Sequence, residues 1–271
     1  MFSNYYTLFF IVFASIVFMN SCINITGPAE LSSVNVSKVK NIQWNLISVE
    51  TSSEISNLSD YEPFRIALLT NKIWGYDNCN YLTGNYSIIN DSLIMTDGGI
   101  TEMACPSLKF ISFKHLFGKS KIMMRGTQLV LFKKDTNYVY YSNFTKDISE
   151  QNFLDDTLTL KSSNDINISF FDSLNLYPKL ILNSDREFLI QWYNKSPENT
   201  GFINKISGIY GINENKDILF TRIISAYEGN GVSIYDRELV RKIVESKKFE
   251  FNNGILRLIN NVTNTYYEFS K

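Results

Sequence analysis

What the chain holds little of is informative first. It has a single histidine, His115, only three cysteines, and a formal net charge of -1 over 271 residues. One histidine excludes the multi-histidine sites that hold most catalytic metals, and a histidine relay with them. A near-neutral charge argues against a nucleic-acid binder, which needs clustered Lys and Arg to release counterions from phosphates. The longest apolar run, residues 5–19, falls short of the roughly 20 residues that cross a bilayer. No G-x-S-x-G elbow occurs, and no glycine loop suited to phosphate, since Asp97-Gly98-Gly99 and Glu228-Gly229-Asn230-Gly231 read as turns. What is present is a folding composition, 44% hydrophobic and 14% aromatic with 20% charged. The length suits one or two domains, each with its own core.

The run YYTLFFIVFASIVFM carries no charge and closes on Asn20-Ser21-Cys22. It fits the apolar part of an export signal. Phe18 to Cys22 resembles a bacterial lipobox, with Met19 three places and Ser21 one place before the cysteine. This implies cleavage before Cys22, attachment of three acyl chains (palmitate-type) there, and permanent residence at a membrane. A retained amino-terminal helix and an ordinary cleaved signal are the alternatives. Ile23 after the cysteine is not acidic, which by the proteobacterial sorting rule implies the outer membrane, facing the periplasm or the cell surface. The expected division is a signal peptide at 1–21, a tether at 22–40, a domain at 41–150, a linker at 151–165 and a second domain at 166–271.

Charge is even in both halves, 10 basic against 11 acidic in 41–150 and 13 against 12 in 166–271. Lys119/Lys121 and Lys247/Lys248 read as solvated positions. A degenerate repeat is visible at offsets of 124 and 125 residues. Gly84-Asn85-Tyr86 is echoed by Gly208-Ile209-Tyr210 and Thr96 by Thr221, and farther on the aromatic Tyr138-Val139-Tyr140-Tyr141 is echoed in the same order by Thr265-Tyr266-Tyr267-Glu268-Phe269. An insertion is expected near 196–201. Short Ile-, Val-, Tyr- and Phe-rich segments bounded by Gly, Asn and Asp predict strands. One helix per half is expected: after Pro106 with Phe110, Phe113 and Phe117 on one face, and after a capping Asp236 with Leu239, Val240, Ile243 and Val244. The fold class is therefore β-rich α+β, two similar domains, each a curled antiparallel sheet or small open barrel covered by one helix.

Trp44 in the opening strand, Gly75 to Cys79-Asn80, Gly84-x-Tyr86 and Thr101-Glu102-Met103-Ala104-Cys105 together resemble the META/HslJ-like domain of bacterial envelope proteins, over about residues 41–145. The Gly75-to-Cys79 turn is one residue longer than the commonest form. The second half matches only through the repeat and lacks both cysteines. The resemblance implies a non-enzymatic, stress-related envelope protein. With Cys22 carrying lipid, Cys79 and Cys105 remain in an oxidising compartment, where a disulfide is expected and two buried thiols are the alternative. C-x-x-C redox spacing is absent.

Among candidate chemistries, His115 is expected to be exposed and inert. Asp155-Asp156, Asp217 and Glu102 are ordinary surface carboxylates unless two face each other in a cleft with one pKa raised. Trp44, Trp74 and Trp192 read as core. No cofactor and no metal is expected. Besides the membrane, an envelope protein, peptide or lipid ligand is an expected partner. A carrier or pilotin-like module, with an apolar cavity lined by Phe110, Phe113 and Phe117, is the second reading, and a carboxylate hydrolase the third.

Overall fold

A computed structural model describes residues 30–58, 63–103, 111–149, 151–169, 176–194, 202–227 and 234–271. The apolar alternation that marks strands in the sequence is realised as two antiparallel sheets. In the first half the strands are β1 (Leu31–Ser33), β2 (Gln43–Thr51), β3 (Ile55–Asn57), β4 (Arg65–Leu68), β5 (Lys72–Tyr76), β6 (Tyr81–Ile89), β7 (Ser92–Ile100), β8 (Gly118–Arg125), β9 (Gln128–Lys133) and β10 (Thr136–Tyr141). β2, β4, β5, β6, β7, β8, β9 and β10 pair in that order, and β10 returns to β2. The ring is closed, so it exposes no edge of its own. β1 is laid on β8 and β3 on β2 outside it.

The second half repeats this connectivity with β11 (Thr157–Ser163), β12 (Leu176–Leu182), β13 (Glu187–Asn194), β14 (Phe202–Ile212), β15 (Ile218–Tyr227), β16 (Lys248–Asn252), β17 (Ile255–Asn260) and β18 (Thr265–Ser270). Neighbours pair from β15 back to β11 and on through β18 and β17 to β16. β15 and β16 meet only at a bridge between Asp217 and Lys248, with Ile218 N–H donating to Lys247 O at 3.0 Å and Phe249 N–H to Lys216 O at 3.0 Å. The expected fold class holds: β-rich α+β, with each sheet curled into a small barrel.

The helix Ile234–Val244 covers the second barrel, burying Leu239, Val240 and Ile243. It starts two residues before Asp236, which therefore sits in its first turn and is not its cap. In the first barrel the described counterpart is one 3-10 turn, Phe113–His115. Pro106 and Phe110 lie outside the described residues, as do the insertion at 196–201, Cys22 and Cys105.

Other expectations need correction. The stretch 151–165 is no simple linker, since β11 begins at Thr157 and pairs with β12 and β18. The segment 22–40 is not all tether: β1 is docked on β8 and Val39 is buried. Asp97-Gly98-Gly99 is strand, because Gly98 stands opposite Gly84 where the sheet has no room for two side chains.

Each barrel is filled. Trp44, Ile66, Leu68, Ile73, Leu82 and Tyr140 pack inside the first, and Trp192, Phe188, Ile190, Leu258, Tyr267 and Phe269 inside the second. The barrels touch through a small apolar cluster of Ala67, Trp74 and Ile209. Beside it Thr221 Oγ1 donates to Gln43 Oε1 at 2.7 Å, and Asn41 Nδ2 donates to Asp185 O at 2.8 Å.

Candidate functional site

The motif residues of the first barrel hold the chain together locally. Gly84 has no room for a Cβ, which would lie 2.3 Å from Asp97 O, and Gly208 in the second barrel would put one 2.0 Å from Thr221 O. Both sit beside a register shift in the strand pair. Two residues on, Tyr86 Oη donates to Leu69 O at 2.6 Å and Tyr210 Oη to Asn183 O at 2.8 Å, so each ties its strand to a neighbouring hairpin. The G-x-Y pattern is thus a device for seating a bulge and anchoring a turn. In the turn before β6, Asp77 Oδ1 accepts from Cys79 N–H at 3.0 Å and Asn80 N–H at 2.5 Å, while Asn78 adopts φ 71°. Asn80 Oδ1 accepts from Met103 N–H at 2.8 Å, and Thr101 Oγ1 accepts from Tyr81 N–H at 2.8 Å. The C-N and T-x-M segments are therefore stitched to each other. Cys79 is 9% exposed, with Sγ 3.8 Å from Met103 O.

His115 corrects the expectation of an exposed ring, for it is 5% exposed. Its Nδ1 lies 2.8 Å from Ser112 O and its Nε2 2.5 Å from Tyr140 Oη. A carbonyl only accepts, so Nδ1 carries the proton and the Tyr140 hydroxyl donates to Nε2. The ring is stacked on Tyr138 at 4.0 Å between centroids. Burial, with the charge of Lys133 adding to it, lowers the His115 pKa to about 4, and burial holds the Tyr140 hydroxyl well above its usual range. The result is a neutral chain from a backbone carbonyl through imidazole to phenol. The cue available in the sequence is the alternation of Tyr138 and Tyr140, which aims both rings inward at one level.

Next to this cluster is a cavity of about 320 Å³ lined by Val49, Leu58, Ile111, Lys114, His115 and Tyr138. Phe113 does not line it, being 2% exposed in the core, and Phe117 packs partly buried against the same core. A second cavity of about 600 Å³ lies between the barrels, lined by residues that include Lys38, Trp44, Met124, Asp147 and Arg186. Arg186 spans the junction there, donating to Phe144 O at 3.0 Å and to Lys146 O. A third, of about 440 Å³, has a polar lining that includes Tyr141, Asn143, Asn213 and Asp217.

Of the carboxylates singled out in the sequence, Asp217 lines that third cavity, but its hydrogen bonds from Lys248 and Asn213 hold its pKa low. Among the described residues the carboxyl shifted upward is Glu187, through burial and the neighbouring charge of Asp185, at the start of β13. Trp44, Trp74 and Trp192 are all buried. Among the described residues no group of three or more His, Cys, Asp or Glu could hold a metal, and no helix is long and apolar enough to cross a membrane.

Residues 37–145 match the META domain family. Two solved structures are similar to part of the chain. One is an NMR structure of a protein from Burkholderia xenovorans, 15% identical with a TM-score of 0.32, covering 44% of this chain and 94% of that one. The other is a crystal structure of a DUF4847 family protein from Bacteroides vulgatus, 10% identical with a TM-score of 0.32, covering 45% and 95%. No curated protein matches the chain.

Proposed function

We propose that the chain is a lipid-anchored protein of the bacterial cell envelope whose barrels act without catalysis, in the stress-related setting that the META resemblance implies. The observation that carries the anchor is the uncharged run that ends on Met19-Asn20-Ser21-Cys22, fifteen residues ahead of the segment that matches the META domain. The absence of catalysis is supported by His115, whose two ring nitrogens are both occupied and whose phenol partner is fully buried. Fractionation tests the anchor. The native chain should sediment with membranes and need detergent for release, and Cys22→Ser should appear in the soluble fraction. A native chain found soluble would contradict it.

Within the same reading Cys79 pairs with Cys105. The placement of Cys79 supports this, since its Sγ lies 3.8 Å from Met103 O, two residues before Cys105. Closing 105 - 79 = 26 residues would stabilise the fold by roughly 3 to 4 kcal/mol in the chain-entropy model. Alkylation without reductant should leave both cysteines unmodified.

A second reading, a carrier of a small amphipathic ligand, is favoured by the 320 Å³ cavity, where apolar Val49, Leu58 and Ile111 meet the polar edge of His115, Tyr138 and Lys114. Native mass spectrometry distinguishes the two, since a carrier should retain a bound mass.

A further inference from the structure

From Lys109 to Lys134 the sequence has seven basic residues, and no acidic residue stands between Glu102 and Asp135. The even charge of the first half therefore conceals a segregation within it, and the fold gathers much of this stretch on one part of the barrel. Lys119 and Lys121 lie on β8, Lys133 ends β9, and Lys134 follows in the turn to β10, with Lys121 opposite Phe132 across the β8–β9 pair. Arg125 is committed to Glu50, at 2.9 and 3.0 Å, and Lys133 donates to Phe117 O. Lys114, Lys119, Lys121 and Lys134 are exposed, and among the described residues none of the four has an ion-pair partner. Of the carboxylates nearby, Asp135 flanks Lys134 in sequence, and Asp91 accepts from Ser33 Oγ at 2.9 Å and from Val34 N–H at 3.4 Å.

The amino-terminal segment arrives at this same strand. β1 runs antiparallel to β8, with Leu31 opposite Arg125 and Ser33 opposite Met123. Residues 23–30 alone separate Cys22 from β1. At about 3.5 Å per extended residue, the nine steps from Cys22 to Leu31 reach at most about 32 Å. Whatever surface holds Cys22 is thus kept close to the strand that carries the unpaired lysines. We propose that this basic face of the first barrel lies against the anionic lipid headgroups of the membrane that holds Cys22. The position of the membrane rests on the lipid-anchored reading above; the segregation of charge does not. A lysine cluster gains from a negative surface potential once it is within a Debye length of about 8 Å, and tethering supplies the local concentration that lets a weak attraction act.

The full chain, purified from membranes, would be placed in vesicles of phosphatidylcholine alone or with about 30 mol% phosphatidylglycerol, then acetylated briefly on its amines and read by peptide mass spectrometry. Lys119, Lys121 and Lys134 should be acetylated about three- to tenfold less in the anionic vesicles, and the difference should vanish in about 0.5 M salt. Lys161, Lys216 and Lys247 of the second barrel should react equally in both. In a Lys119→Glu/Lys121→Glu variant, altered only at exposed strand positions, Lys134 should lose its protection. Equal acetylation in the two vesicle types, protection that survives salt, or protection shared by Lys216 and Lys247 would overturn the proposal. The mass of the amino-terminal peptide reports separately on Cys22. Protection that persists with Cys22 unacylated would remove the anchor and leave the basic face standing.

Discussion

Two tyrosines and two glycines, 124 residues apart, do the same structural work in each barrel. Tyr86→Phe and Tyr210→Phe should each cost about 1 kcal/mol, the net value of one hydrogen bond. Gly84→Ala and Gly208→Ala should cost more, about 2 kcal/mol or above, because the added carbon meets a backbone carbonyl that cannot swing aside. Urea titration checks all four. His115 makes a different prediction. Its ring takes a proton near 6.5 in an unfolded chain and at about 4 in the fold. The unfolded state therefore binds the extra proton first, so stability is full above pH 6.5 and declines as pH falls toward 4, by about 3 kcal/mol at the limit. In His115→Phe the decline between pH 6.5 and 4.5 should disappear, as read by urea midpoints across that range. The repeat glycines and tyrosines are legible in the sequence because each pair recurs at a fixed offset. The burial of His115 is only half legible: the alternation of Tyr138 and Tyr140 hints at it, but Lys114 beside it suggests a polar face, and the closure of the ring is what brings both tyrosines over it.

At the scale of elements, strand content and order are readable because the barrels alternate apolar and polar residues and turn on Asn, Asp and Gly. The second helix is readable for the same kind of reason. Leu239, Val240 and Ile243 all fall on its buried stripe, and Leu239→Ala should destabilise the second barrel by about 2 to 5 kcal/mol. A calorimetric trace of that variant checks it. Its first residue is harder to read, since Asp236 is an apt cap by type yet Ile234 and Tyr235 before it already continue the turn. β1 and β11 hide for another reason. β1 is short and polar, and β11 alternates Leu158 and Leu160 with polar residues inside a stretch that otherwise reads as a junction; pairing with a distant strand, β8 for one and β18 for the other, helps to order them.

For the whole molecule, the contact between barrels is small but specific, and nothing local in the sequence announces it. Trp74 and Ile209 look like ordinary strand residues until the two rings meet. Thr221→Val should cost about 1 to 3 kcal/mol, since it leaves Gln43 Oε1 buried without a donor. The loss should show as an earlier onset of unfolding. The proposed anchor and the proposed bridge are both tested by one measurement, the intact mass of the protein extracted from membranes. The expected mass is that of residues 22–271 with three acyl chains on Cys22 and two hydrogens fewer than the reduced form, regained on treatment with reductant. A mass matching the uncut chain, or residues 22–271 without lipid, would contradict the lipid-anchored reading outright.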